Sequence, residues 1–127
     1  MKIFIICPVR NATPEEKVEL EEYVTKLESD GHDVHYPPRD TDQTDPVGIS
    51  IIRNNHASLY DSDEVHVYWN GNSIGSLFDI GMLYALHKPL ILIKPITSTP
   101  HKSFENILLY QYLTRGLSKL RREYVQI

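Results

Sequence analysis

Short apolar runs alternate with longer amphipathic stretches along the chain. Lys2-Ile-Phe-Ile-Ile6 is almost continuously apolar and ends at Cys7-Pro8, which predicts a buried strand. Thr13 then offers an N-cap, Pro14 suits a first helical position, and Glu16 completes a capping box. Behind that signal Leu20, Tyr23, Val24 and Leu27 recur at helical spacing, with Glu15, Glu19, Glu22 and Lys26 on the wet side, until Gly31 stops the helix. His32 to Tyr36 predicts a second strand closed by Pro37-Pro38, and the polar run Arg39 to Asp45 predicts a loop. Asp45-Pro46 opens the next helix, with Ile49, Ile52, His56, Leu59 and Tyr60 as its inner face. Glu64 to Trp69 is a third strand and Asn70 to Ser73 a loop. A helix follows from near Gly75 to about His87, where Lys88-Pro89 breaks it. Leu90-Ile-Leu-Ile93 is a fourth strand. Ser103 caps a final helical region carrying Phe104, Ile107, Leu108, Leu113, Leu117 and Leu120, which Gly116 can divide.

That order, β-α-β-α-β-α-β-α, predicts a three-layer α/β fold. The expected core is a flavodoxin- or Rossmann-like parallel sheet of four to five strands, with helices on both faces and right-handed crossovers. Continuously apolar strands agree, because a one-sided sheet would alternate. With 127 residues the chain is expected to form a single domain over 1–127.

Composition narrows the partners. Thirteen basic residues against seventeen acidic ones leave a net charge of −4, which argues against nucleic-acid polymers and anionic membranes while leaving room for a local anion pocket. The single cysteine excludes an internal disulfide framework and fits a reducing cytoplasm, the expected location. The run Ile3 to Cys7 is too short for a signal peptide or a spanning helix.

In open α/β sheets ligands bind beyond the carboxyl ends of the strands, at the switch in strand order. Cys7 to Thr13, Arg39 to Asp45 and Asn70 to Asp79 are the segments that qualify. The third is the richest. Gly71 and Gly75 permit close backbone approach, Ser73 and Ser76 add hydroxyls, and unpaired amides at a helix start bind anions. Asp79 lies about one turn further on, among Phe78, Ile80 and Met82. The positive helix end should keep its carboxylate ionised, while desolvation pushes the other way. An ionised, poorly hydrated carboxylate suits covalent attack on an anomeric carbon; the plainer reading is a carboxylate that supports the helix start.

Ser73-Ile-Gly-Ser-Leu-Phe-Asp-Ile-Gly81, followed by Tyr84-Ala-Leu-His-Lys-Pro89, resembles the signature of the nucleoside 2-deoxyribosyltransferase family. The similarity is greatest to its branch of 2'-deoxynucleoside 5'-phosphate N-hydrolases. In that family a Ser-x-Gly-x-x-x-Glu-x-Gly run precedes Ala-x-Gly-Lys-Pro. Ile3 to Arg10 is similar to the first strand and ligand loop, and Ser62-Asp63 to an Ala-Asp before the third strand. The resemblance places the family's carboxylate nucleophile on Asp79 and its phosphate-binding serine on Ser73. It puts Gly75 and Ser76 along the sugar-phosphate pocket, and Arg10 and Asn11 in the first ligand loop. It implies cleavage of a (deoxy)ribosyl N-glycosidic bond with retention, water or a second base accepting the sugar. It also implies a homodimer or larger homo-oligomer and no metal or redox cofactor, since carboxylate and leaving base carry the chemistry.

Three positions depart from the family. Asp79 replaces a Glu, which withdraws the oxygens by roughly 1.5 Å, and an error near 1 Å can cost about 10²-fold in rate. Asn55 stands where the family has a supporting aspartate; an amide can orient Asp79 but cannot exchange a proton with it. The first loop, Cys7-Pro-Val-Arg10, is one residue short and lacks the branch's serine. A nucleotide-binding module without turnover is therefore the alternative to a glycosidase.

Other features carry less. Cys7 lacks the arginine six residues on that a phosphatase loop needs, and it reads as a buried strand-end residue. His32 and His35 fall on opposite faces of a strand, and no Cys/His cluster has zinc spacing. Asp40, Asp42 and Asp45 lack the glycine and glutamate of a calcium loop and read as a solvated loop over the pocket. Trp69, beside Tyr68 at a strand end, is a candidate to stack on a base, although aromatic strand residues are more often core.

Overall fold

A computed structural model describes residues 1–115. Four parallel strands, β1 (Lys2–Ile6), β2 (Asp33–His35), β3 (Glu64–Val67) and β4 (Leu90–Leu92), lie in the order β2-β1-β3-β4. The helices are α1 (Pro14–Ser29), the single turn α2 (Pro37–Asp40), α3 (Ile49–Asp61), α4 (Ile74–Leu86) and α5 (Phe104–Arg115). The predicted three-layer α/β fold is thus present, with four strands among the described residues. Leu117, Leu120 and the division at Gly116 lie outside them. No described helix is long and apolar enough to cross a membrane.

Alternation along β1 builds both cores. Ile3 and Ile5 point toward α1, where they pack with Leu20, Val24, Val34 and Tyr68. Phe4 and Ile6 point the other way, into a cluster with Leu59 of α3, Ile80 and Leu83 of α4, and Leu108 of α5. From β1 the chain steps outward to β2 and then returns past it to β3, so the strand order switches between β1 and β3. β3 carries a polar exception. His66 Nε2 and Glu64 Oε1 are 2.7 Å apart in the buried interior, and the Tyr23 hydroxyl of α1 meets His66 Nδ1 at 2.5 Å.

Local chemistry sets the helix ends. Thr13 and Glu16 form the expected capping box, and Pro14 sits in the first turn of α1. Two helix boundaries and one helix face differ from expectation. Pro37 to Asp40 is helical rather than loop, since prolines lack the N–H that a first turn leaves unpaired and Asp40 accepts from the Tyr36 amide at 2.8 Å. The helix predicted from Asp45-Pro46 begins at Ile49, because the Asp45 carboxylate folds a turn ahead of it by accepting from the amides of Val47 and Ser50. Its inner face is rotated: Asn55 and Leu59 are buried and Ile52 half-buried, while Ile49, His56 and Tyr60 are exposed.

Candidate active site

The first and third ligand segments are stitched together at the switch between β1 and β3. Asn11 Nδ2 donates to the Asn72 carbonyl at 3.3 Å, Asn70 Nδ2 donates to the Asn11 carbonyl at 3.4 Å, and the Asn72 amide donates to Asn70 Oδ1 at 2.9 Å. Gly71, with φ of 86°, supplies the left-handed turn this loop requires. Arg10 is exposed in the facing loop.

The loop leads into α4. Ser73 is its N-cap, accepting from the Ser76 amide at 3.1 Å and from the Ser76 hydroxyl at 2.8 Å. Both serines are buried. With two bonds accepted, the Ser73 hydroxyl keeps its own proton to donate, and the amides of Ile74 and Gly75 have no intrahelical carbonyl to meet. A Cβ on Gly75 would find nothing within 4 Å, so the space above this turn is open.

Asp79 follows on the same helix and is 8% exposed. No described residue donates a hydrogen bond to its carboxylate or pairs with it. Burial pushes its pKa up to about 7 from the ordinary 3.8. The expectation of a carboxylate kept ionised by the helix end is corrected here. Asp79 lies past the first turn, where the dipole has faded, and desolvation prevails. Cys7, at the end of β1, is near enough that the Asp79 charge adds to burial in pushing its thiol up to about 12. It is a buried, protonated thiol, as its strand-end position predicts.

Asn55 projects from α3 into a different contact. Its Oδ1 accepts from the Thr41 hydroxyl at 2.9 Å, and Thr41 Oγ1 lies 2.8 Å from His35 Nε2. No hydrogen bond joins Asn55 to Asp79. Sequence patterning gives no sign of Thr41 or His35; the one available clue is a polar residue on the inner side of α3, which must find a partner when buried. Trp69 is mostly core, and its indole N–H donates to Glu105 of α5. It borders an open cleft of about 430 Å³, lined also by Asn70 to Asn72, Lys94 and Ile96. Asp42 and Asp45 spend their carboxylates on local turns, and no metal-binding group of three appears among the described residues.

No protein-family model matches the chain, and no curated protein does. Solved structures do share its fold. The CMP N-glycosidase of Clostridium botulinum superposes with a TM-score of 0.59 at 17% identity, covering 91% of this chain and 83% of that one. A 2-deoxyribosyltransferase of Bacillus psychrosaccharolyticus gives 0.62 at 18% identity, covering 93% and 98%. A conserved protein of Enterococcus faecalis V583 gives 0.58 at 19% identity, covering 90% and 74%.

Proposed function

We propose that this chain belongs to the nucleoside 2-deoxyribosyltransferase-like family and cleaves the N-glycosidic bond of a nucleoside or nucleoside 5'-monophosphate. The observation that carries the reading is Asp79. It is a buried carboxylate with no hydrogen-bond or ion-pair partner among the described residues, on the helix whose first turn offers a free hydroxyl proton, unpaired amides and open space. In the first step an Asp79 oxygen bonds to C1' as the C1'–N bond breaks, and the base leaves with the bond's electron pair and takes up a proton from solvent. In the second step water or another base attacks C1' from the vacated face, breaking the bond to Asp79 and losing a proton to solvent, which frees the carboxylate and restores the original configuration. Ser73, Gly75 and Ser76 hold the sugar and its 5' end. Arg10 and Asn11 close over it from the facing loop, and Trp69 lines the approach.

Asp79 must ionise to attack, and burial leaves roughly half of it protonated near neutral pH. That feature, with Asn55 bound to Thr41 instead of Asp79, favours the second reading, a nucleotide-binding module without turnover. Wild type and Asp79→Ala, incubated with a panel of nucleosides and 5'-monophosphates, separate the two. Free base released by wild type and not by the variant supports the glycosidase, and an added second base distinguishes transfer from hydrolysis. No release from any substrate, with one of them raising the melting temperature, supports the binding module.

A homodimer or larger assembly is part of the proposal, as is a cytoplasmic location, to which the free thiol of Cys7 is suited. Tyr84 of α4 and Phe104, Ile107 and Tyr110 of α5 are exposed along an apolar groove of about 600 Å³, and Ile74 and Phe78 are exposed elsewhere on α4. An exposed apolar groove supports association.

A further inference from the structure

Gln111 of α5 is 1% exposed, and neither its amide nitrogen nor its amide oxygen meets a hydrogen-bond partner among the described residues. A buried amide lowers stability unless both its donor and its acceptor are paired, so an unpaired one in a folded chain calls for an explanation. Its surroundings supply one. Gln111 lines the base of the apolar groove of about 600 Å³ between α4 and α5. The walls are helical stripes at spacings of three and four residues: Leu77, Gly81 and Tyr84 on α4, and Phe104, Ile107 and Gln111 on α5. Deeper in, the two helices share the core through Ile80, Leu83, Leu108 and Tyr112. Gly81 is exposed in the α4 wall, and a Cβ there would meet nothing within 4 Å. Close packing therefore does not require glycine at this mid-helix position, which disfavours it; its missing side chain leaves the groove open. The neighbouring polar groups are already paired. Asn106 donates to the carbonyls of Thr99 and His101 and accepts from the Thr99 amide, and Ser103 accepts from the Asn106 amide and the Thr99 hydroxyl.

We propose that the groove is a second ligand site, apart from Asp79, which takes an uncharged planar ring bearing a lactam or carboxamide edge. An adjacent N–H and C=O on that edge pair with the oxygen and nitrogen of Gln111 together, each group satisfying the other. Tyr84, Phe104 and Tyr110 offer the rings among which an aromatic guest packs. The volume lies within the roughly 300–1,000 Å³ of small-molecule sites. No carboxylate lines the groove to hold a cation, and its charged residue, Lys102, is exposed. Access requires movement of the rim alone. Phe104, Ile107 and Tyr110 are 53%, 47% and 60% exposed, so a change of rotamer there displaces water and leaves the core intact. Association of two copies rim to rim accounts for these exposed side chains but not for the amide beneath them.

Two probes test this on the full chain by isothermal titration calorimetry. They are 2-quinolone, a planar bicyclic lactam, and coumarin, its isostere with a ring oxygen in place of the N–H. Wild type should bind the lactam at least about tenfold more tightly. Gln111→Met keeps the side-chain length and removes the amide, so the preference should fall below about twofold while the urea midpoint does not drop. Gly81→Leu should abolish binding of both probes without lowering the midpoint, because leucine fills open space and is the better helix former. Equal affinities in wild type, a preference that survives Gln111→Met, or full binding by Gly81→Leu overturns the proposal. A lowered midpoint in Gln111→Met does so too, since it means that the amide was already paired. Absence of saturable binding also overturns it; where the wild type is a dimer that excludes both probes, the groove belongs to a second copy. None of these readouts involves base release, so the glycosidase reading stands or falls separately.

Discussion

Replacing Asp79 by its neutral isostere should make the protein more stable and less active. Burial raises the carboxyl pKa from 3.8 to about 7 by stripping the charged form of its water. A folded-state pKa above the unfolded one means that the unfolded chain releases its proton first as pH rises. Wild-type stability therefore falls with pH between about 4 and 7 and levels off above. A shift of roughly three units corresponds to about 4 kcal/mol at most once the group is fully ionised. Asp79→Asn removes this cost while keeping the side-chain shape. Urea unfolding of both proteins at pH 4, 6 and 8 is the assay. The variant's advantage should be near zero at pH 4, intermediate at pH 6, and on the order of 3–4 kcal/mol at pH 8, with base release abolished throughout. A stability difference that stays constant with pH, or one that favours wild type at pH 8, would refute the reasoning.

On the proposed glycosidase reading, wild-type kcat/KM for base release should rise through pH 7 rather than through the ordinary carboxylate range, since Asp79 must ionise to attack; a pH–rate profile flat from 5 to 8 contradicts this. Gly75→Leu should not lower the unfolding midpoint, because the added Cβ meets nothing and leucine is the better helix former, while on the proposed reading stabilisation by a nucleotide disappears as the side chain fills the open space. Glu64→Ala should cost about 1–3 kcal/mol by chemical denaturation, since it removes the buried hydrogen-bond partner of His66 Nε2. If the proposed dimer forms through the apolar groove, Phe104→Asp should shift sedimentation to monomer without lowering helical content by circular dichroism, as this ring lines the groove and stands 53% exposed.

The fold was legible because its signals are local and repeated. The apolar runs of β1 and β4, the Thr13-Pro14-Glu16 start of α1 and the Lys88-Pro89 stop each state a backbone preference in the sequence itself. What escaped the sequence depends on partners distant along the chain. Asn55 belongs to the inner side of α3 only because Thr41 meets it, so hydrophobic periodicity drew that face one position away, through His56 and Tyr60. The start of α4 was recognisable from its glycines and serines. The charge state of Asp79 was not, since the balance between helix dipole and burial depends on how deep the carboxylate lies among its neighbours.

The asparagine clasp has a consequence for how this protein comes into being. Asn11 and its partners Asn70 and Asn72 are separated by 59 and 61 residues, about half the chain. Contacts of such sequence separation close late in folding, after loop entropy has been overcome by strand pairing. No early folding unit made of β1, α1 and β2 can possess the site, because one wall of it arrives only with β3 and α4. Any ligand of the proposed site can therefore bind only after a single late step, when β3 docks beside β1, and a ligand added during refolding should accelerate nothing before that step.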